Sequence, residues 1–199
     1  MGQINIIETK LPGVLIVEPK VHGDHRGWFY EAYAKRDYVA AGLDYDFVQD
    51  NRSFSSARGT FRGIHFQRGE ASQAKLVWCS KGAVVDIAVD LRCGSPNYLR
   101  WDAVELSEEN KRQFMIPRGF GHAFLSLTDN VEFCYKADNY YNYEADGGIR
   151  FDDPDIGIDL SEWGFERSAD GSCSGLILSD KDKTASFARD ADTGYNMNI

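Results

Sequence analysis

Short apolar segments follow one another between Thr60 and Ala137, and residues that favour turns separate them. Turn formers such as Lys81-Gly82 and Thr128-Asp129-Asn130 stand where one segment ends and the next begins. Seven strands at a spacing of roughly ten residues predict a jelly roll or a related double-sheet barrel rather than alternating β-α-β units. The predicted strands are Thr60–Gln67, Ala74–Ser80, Ala83–Leu91, Leu99–Leu106, Arg112–Ile116, Gly121–Leu127 and Val131–Ala137.

The residues on either side of this region are expected to complete one domain, 1–199. An N-terminal arm, about 1–20, has β-rich pieces at Ile4–Glu8 and Val14–Val17, and we expect it to pair with the barrel or to be exchanged with a second chain. Residues 34–41 predict a short helix. The C-terminal tail, about 155–199, is irregular and should wrap the barrel, with the last ten or so residues disordered. Against the family resemblance described below, residues 162–177 look like a lineage-specific insertion.

The charge and composition of the chain exclude several classes of partner. The net charge is −9 and no run of Lys and Arg exceeds two residues, so nucleic acid is not expected to bind. We expect no membrane partner, because no stretch approaches the roughly 20 apolar residues of a membrane span. The four cysteines form no C-x-x-C pair, and the N-terminus lacks the pattern of a signal peptide. Reduced thiols in the cytoplasm are therefore the expected state.

An arginine, a histidine and a lysine occur within the first two predicted strands. Arg62, His65 and Lys75 are set among alternating apolar residues, and cations are seldom buried without an anion. We therefore expect them to line a barrel interior that suits an anionic carbonyl substrate. Strict alternation would place Arg62 and His65 on opposite faces of the strand, and a bulge at Gly63 is expected to redirect one of them.

Ordered sequence blocks extend over most of the chain. They are Asp24-His25-Arg26-Gly27, Val48-Gln49-Asp50-Asn51, Arg62-Gly63-Ile64-His65-Phe66, Gln73–Val77, Asp86–Arg92, Gly94-Ser95-Pro96, Ile116–His122, Phe133–Lys136, Asp152-Asp153-Pro154 and Leu178–Asp182. From about Leu11 to Asp182 this series resembles the dTDP-4-dehydrorhamnose 3,5-epimerase family. The resemblance implies an all-β, cupin-type jelly-roll barrel without metal, a homodimer, and a nucleotide-sugar substrate of the dTDP-4-keto-6-deoxyglucose type.

The same resemblance implies roles for individual residues. His65 would be the general base, paired with Asp182, and Tyr135 would be the acid on the opposite face of the sugar. Lys75 would stabilise the enolate oxygen. The residues implied in substrate binding are Arg26, Glu31, Gln49, Asn51, Arg62, His122 and Tyr141.

These residue types suit an epimerisation that needs no cofactor. A ketone at C4 acidifies the hydrogens at C3 and C5, so a base, a cation near the enolate and a proton donor on the other face are sufficient. A neutral histidine can act as the base because its ordinary pKa is near 6.5. The resemblance thus implies an isomerase that converts dTDP-4-dehydro-6-deoxy-D-glucose into dTDP-4-dehydro-L-rhamnose in deoxysugar biosynthesis, for a surface polysaccharide.

Three alternatives stay open on the sequence alone. A sister enzyme could invert only C3 or only C5, or could use a GDP-linked sugar. A sugar-binding cupin without activity would keep the strands, although we would then expect the base or the acid to be lost. A metal-dependent cupin oxygenase would normally offer a His-x-His pair, whereas His65 is followed by Phe66-Gln67.

Overall fold

The structure, a computed structural model, describes residues 3–168 and 173–195, and its main feature is a pair of β-sheets. In chain order the strands are β1 (Ile4–Glu8), β2 (Leu15–Pro19), β3 (His22–Asp24), β4 (Gly27–Phe29), β5 (Gln49–Ser55), β6 (Phe61–Gln67), β7 (Lys75–Lys81), β8 (Ala83–Asp90), β9 (Trp101–Ser107), β10 (Gln113–Ile116), β11 (Phe120–Ser126), β12 (Val131–Ala137) and β13 (Asp146–Gly148). The large sheet has the order β1-β2-β10-β7-β12-β5, and the small sheet has the order β13-β6-β11-β8-β9. A separate hairpin consists of β3 and β4.

Helical structure is limited to short pieces between and after the strands. The two α-helices are α1 (Lys35–Ala40) and α2 (Asp180–Lys183). Turns of 3-10 helix occupy Gly69–Ala71, Tyr143–Ala145, Ser161–Trp163 and Ala188–Asp190. No helix in the described part of the chain is long and apolar enough to cross a membrane.

The all-β barrel predicted from the sequence is confirmed. All seven predicted strands form with small shifts at their ends, and α1 lies within the predicted helix at 34–41. Strand β5 was not predicted, because it reads Gln-Asp-Asn-Arg-Ser-Phe-Ser and contains a single apolar residue. Helix α2 was not predicted either. Helix α2 contributes Lys181 to the cavity described below, and β5 pairs with β12, which contributes Tyr135.

Apolar side chains fill the space between the two sheets and cover both outer faces. Phe114, Phe124 and Phe133 are buried in the core between the sheets. Tyr38 of α1 packs with Leu76 and Met115 on the outer face of the large sheet. Complete burial of one such side chain contributes about 1.5–3 kcal/mol, so these clusters fix the separation of the sheets.

The terminal segments add to the two sheets. The N-terminal arm pairs within its own chain, since β1 pairs with β2 and β2 pairs with β10. Buried tail residues from Ile156 to Tyr195 pack with the outer face of the small sheet. The expected disorder of the last ten or so residues is wrong as far as Tyr195, whose hydroxyl donates a hydrogen bond to the carbonyl of Gln67 at 2.5 Å. Residues 1–2, 169–172 in the predicted insertion and 196–199 lie outside the described part.

A bulge in β6 turns Arg62 and His65 to the same face, as the sequence predicted at Gly63. His65 lies opposite His122 of β11, and Arg62 lies opposite Phe124, so three steps along β6 match two steps along β11. Gly63 has φ +130°, and a Cβ on it would lie 2.5 Å from the Cβ of Ala123. Only glycine suits this position, and the shift places both polar residues on the inner face of the small sheet, where Arg62 is exposed and His65 is half-buried.

Candidate active site

A cavity of about 210 Å³ lies where the ends of both sheets meet helix α2. The small sheet contributes β6 and β13, and the large sheet contributes β7 and β12. This arrangement follows from strand alternation, since Lys75, Val77 and Cys79 share one face of β7 and the latter two are buried between the sheets. The lining residues are His65, Phe66, Gln67, Gln73, Lys75, Tyr135, Tyr141, Asp146 and Lys181.

His65 and Asp182 form a hydrogen-bonded pair at this cavity. Nε2 of His65 lies 2.6 Å from Oδ1 of Asp182, and the side chains are 35% and 5% exposed. Helix α2 presents the carboxylate, and the Ser179 hydroxyl caps this helix by accepting the Asp182 N–H at 3.1 Å. Burial favours a higher pKa for Asp182, but the bonds from His65 and Ser179 outweigh it and hold that pKa below its usual value. An ionised carboxylate that accepts the Nε2 proton leaves Nδ1 of His65 as the basic nitrogen.

Lys75 and Tyr135 approach the cavity from the large sheet. The Lys75 Nζ lies 5.5 Å from the centre of the Tyr135 ring. Burial lowers the pKa of Lys75 to about 8, and the nearby Asp86 and Asp146 oppose that change. Burial also raises the pKa of Tyr135 above its ordinary value. Near neutral pH the site therefore offers a cation beside a protonated phenol.

A second histidine–aspartate pair is enclosed in the barrel beside the first. Nε2 of His122 lies 2.9 Å from Oδ2 of Asp86, and these side chains are 9% and 0% exposed. Burial raises the pKa of Asp86 and lowers the pKa of His122. Sequence analysis identified His122 but missed Asp86, although an acid inside the apolar strand Ala83–Leu91 was a signal that a buried partner exists.

Polar side chains from β5 and β6 extend one wall of the barrel interior. Gln49 donates a hydrogen bond from Nε2 to Asn51 Oδ1 at 2.9 Å, and its Oε1 accepts the backbone N–H of Tyr141 at 3.1 Å. The buried Nδ2 of Asn51 has no hydrogen-bond partner among the described residues. Arg62 donates to Ser55 Oγ at 3.2 Å and to the Phe54 carbonyl at 3.1 Å. These groups leave donors available for a polar ligand.

Of the seven predicted binding residues, Tyr141 lines this cavity. Gln49, Asn51, Arg62 and His122 lie on strands β5, β6 and β11, whereas Arg26 and Glu31 lie outside the large and small sheets. Arg26 lies at the tip of the β3–β4 hairpin, is exposed, and pairs with Asp24 at 2.6 Å. Glu31 is also exposed and lies 3.7 Å from Arg36. The hairpin itself presents exposed aromatic rings, with Trp28 61% and Phe29 67% exposed.

Comparison of the sequence with known proteins points to one family. The family model for dTDP-4-dehydrorhamnose 3,5-epimerase matches residues 8–190. The enzyme of that name from Salmonella typhimurium is 49% identical over 163 residues, which is 81% of this chain and 87% of the relative. No group of three or more His, Cys, Asp or Glu that could hold a metal ion occurs within 3–168 and 173–195.

Two solved structures are also similar to this chain in their fold. The first is dTDP-6-deoxy-D-glucose-3,5-epimerase from Legionella pneumophila in complex with dTDP-4-keto-L-rhamnose, with a TM-score of 0.85, 41% identity and 95% coverage of each chain. The second is ChmJ, a 3'-monoepimerase from Streptomyces bikiniensis in complex with dTDP-quinovose, with a TM-score of 0.79 and 34% identity over 91% of this chain and 86% of that chain. The fold, the cavity and these matches show that this chain belongs to the dTDP-4-dehydrorhamnose 3,5-epimerase family.

Proposed function

We propose that this protein epimerises C3 and C5 of dTDP-4-dehydro-6-deoxy-D-glucose and so forms dTDP-4-dehydro-L-rhamnose. The observation that carries the proposal is the set of three groups around one cavity. A histidine with an ionised carboxylate behind it comes from the small sheet, while a phenol and an ammonium group come from the large sheet. This set supplies a base, an acid and a stabiliser for an enolate.

The proposed chemistry moves protons at carbon atoms next to the C4 ketone. Nδ1 of His65 takes the proton from C3 or C5, and the electron pair of that C–H bond becomes the enolate, whose charge on O4 is balanced by Lys75. Asp182 stabilises the imidazolium formed at His65. The Tyr135 hydroxyl then returns a proton to the opposite face of the same carbon, which inverts it. Exchange with water restores the proton on Tyr135 and removes it from His65.

The remaining polar wall suits the rest of such a substrate. The unpartnered Nδ2 of Asn51 and the guanidinium of Arg62 are donors that can meet hydroxyl or phosphate oxygens. Gln49 holds the backbone at Tyr141, whose ring is exposed beside the cavity. His122 forms part of the inner wall through its bond with Asp86. These contacts support roles for the five residues in substrate binding.

A homodimer belongs to the same proposal. The N-terminal arm already pairs within its chain, so the β3–β4 hairpin is the better candidate for contact with a second copy. It exposes Trp28 and Phe29, and it carries Arg26, a predicted binding residue that does not line the cavity. A mass near the 22.4 kDa of one chain in light scattering at micromolar concentration would contradict the dimer. We place the protein in the cytoplasm, which the four free cysteines support.

One experiment separates the proposed reaction from its close alternatives. The protein is incubated in heavy water with dTDP-linked and GDP-linked 4-keto-6-deoxy sugars, and deuterium at C3 and C5 is followed by NMR. We expect the dTDP sugar to gain one deuteron at each centre and to become the L-rhamno product. Deuterium at C3 alone would indicate the activity named for ChmJ, and turnover of the GDP sugar alone would change the substrate. No exchange with either sugar would contradict the enzyme.

A further inference from the structure

Helix α2 carries Asp182 but is a short element with few internal constraints. It has four residues, Asp180–Lys183, and follows the insertion at 162–177. On both sides of the helix the backbone is bonded to residues next to β6 and β13, two strands of the small sheet. Ile177 donates its N–H to the Gly59 carbonyl at 2.8 Å, and Ser186 accepts the Arg150 N–H at 3.1 Å. These anchors fix the ends of the segment, while side chains must fix the rotation of the helix between them.

Two side-chain pairs join α2 to the small sheet at neighbouring positions. The first is His65 with Asp182. The second is an ion pair between Asp146 and Lys181, in which the carboxylate side chain is 19% exposed. Asp146 lies on β13, whose register with β6 places Asp146 opposite Gln67 and Gly148 opposite His65. The two pairs therefore connect adjacent residues of α2 to one short stretch of paired strands.

We propose that Asp146 and Lys181 are positioning residues of the reaction, which tether α2 through their ion pair so that Asp182 stays in hydrogen-bond geometry with His65. This inference rests on the proposed function for its effect on turnover. Both residues line the cavity, yet the ion pair leaves Lys75 as the cation without a carboxylate partner among the described lining residues. The tether thus orders the base without adding a second free cation beside the enolate.

The effect of losing the tether follows from the precision that proton transfer needs. A displacement of about 1 Å at a catalytic group can reduce a rate by about 10². Asp146→Asn and Lys181→Met should each lower kcat about tenfold to hundredfold with little change in KM. The double variant should be no worse than either single variant, because both changes break the same pair. Asp146→Glu and Lys181→Arg should keep most of the activity.

The same helix offers a matched control. Asp180 and Lys183 form an exposed ion pair at 3.4 Å, with side chains 101% and 55% exposed. Asp180→Asn and Lys183→Met remove charges of the same kind from the same element without breaking the proposed tether. We expect wild-type kcat and KM in both.

A readout independent of turnover separates this inference from the proposed function. Nitrogen NMR of the His65 ring reports which nitrogen carries the proton. The wild type and the two control variants should show the Nε2–H form, whereas Asp146→Asn and Lys181→Met should show a mixture of both forms. If the wild type turns over no dTDP sugar but the His65 spectrum still responds in this way, the proposed function fails and the tether stands.

Two results would overturn the tether. One is an unchanged His65 spectrum in both Asp146→Asn and Lys181→Met. The other is an increase of KM in Lys181→Met with unchanged kcat in Asp146→Asn, because Lys181 would then contact the substrate and act independently of Asp146. Thermal melting of each variant, expected within a few degrees of wild type, shows that folding does not cause the change.

Discussion

Two histidine–aspartate pairs lie side by side in the barrel, and they differ in the origin of the carboxylate and in access to water. His65 is partly exposed and meets Asp182 from the C-terminal tail, whereas His122 and Asp86 come from the central strands β11 and β8 and are enclosed. The pKa of Asp182 is lowered by its bonds, while burial raises the pKa of Asp86. The same pair of residue types is thus suited to proton transfer in one place and to shaping a wall in the other.

The largest expected effect comes from removal of the proposed base. His65→Asn keeps a polar side chain of similar size but cannot accept the substrate proton. We expect solvent exchange and epimer formation to fall by about 10⁴, the upper end of the usual contribution of a positioned base. NMR in heavy water measures both. His122→Asn serves as the comparison, and an equal loss of exchange in the two variants would remove the distinction between the pairs.

Replacement of Asp182 should also lower kcat more than replacement of Asp86, although by less than the loss of His65. Asp182→Asn removes the charge behind His65, and we expect kcat to fall by about 10²–10⁴, as for other acids that fix the tautomer of a catalytic histidine. Asp86→Asn exchanges one hydrogen-bonding side chain for another in a site that already disfavours charge. We expect its kcat to stay within about tenfold of wild type, which is about 1.4 kcal/mol of barrier. Steady-state kinetics measure kcat in both variants. A greater loss of kcat in Asp86→Asn than in Asp182→Asn would assign the proton transfer to the enclosed pair.

Because the pKa of Lys75 is lowered, we expect kcat to decline at alkaline pH. Its pKa is lowered to about 8, so the group is protonated below that pH and loses its charge above it. Because only the charged form stabilises an enolate, kcat should fall about tenfold per pH unit once pH exceeds about 8. Lys75→Arg should move this decline to higher pH, since arginine stays protonated. A decline at the same pH in Lys75→Arg would assign it to another group.

For the free energy of unfolding the order is reversed, and the enclosed pair should matter more than the pair at the cavity. Asp86→Ala leaves the enclosed His122 without its hydrogen-bond partner, and we expect the free energy of unfolding to fall by about 1–3 kcal/mol. Asp182→Ala affects a histidine that water reaches, so the loss should be under about 1 kcal/mol. Urea unfolding followed by circular dichroism gives both values. Equal losses would show that the two pairs are equally structural.

The sequence predicted the parts of this protein whose pattern is local. Strands such as Ala83–Asp90 are recognisable as apolar runs between turns. The bulge at Gly63 was predicted because strict alternation would place Arg62 and His65 on opposite faces of the strand. The pairing of Asp182 with His65 depended on the family resemblance, because no periodicity links residues so far apart in the chain.

Other parts escaped prediction for physical reasons. Strand β5 carries polar Gln49 and Asn51 opposite Ala137 and Tyr135 of β12, where they bond each other, so it lacks the apolar signal of a strand. Helix α2 is too short to show helical periodicity. Asp86 could be recognised only as an acid in a buried strand, and its partner became evident when β8 was seen to pair with β11. The hairpin position of Arg26 likewise depends on tertiary structure.

The central claim is that a base and an acid act from opposite sides of one cavity, and Tyr135→Phe tests it most directly. The variant keeps the ring and removes the proton donor, while His65 and Lys75 can still form the enolate. In heavy water we expect substrate hydrogens to exchange, through return of a proton by His65 to the original face, while net inversion falls by about 10²–10⁴. Inversion of C3 and C5 at the wild-type rate in Tyr135→Phe would contradict the account and make Tyr141 the next candidate for the acid.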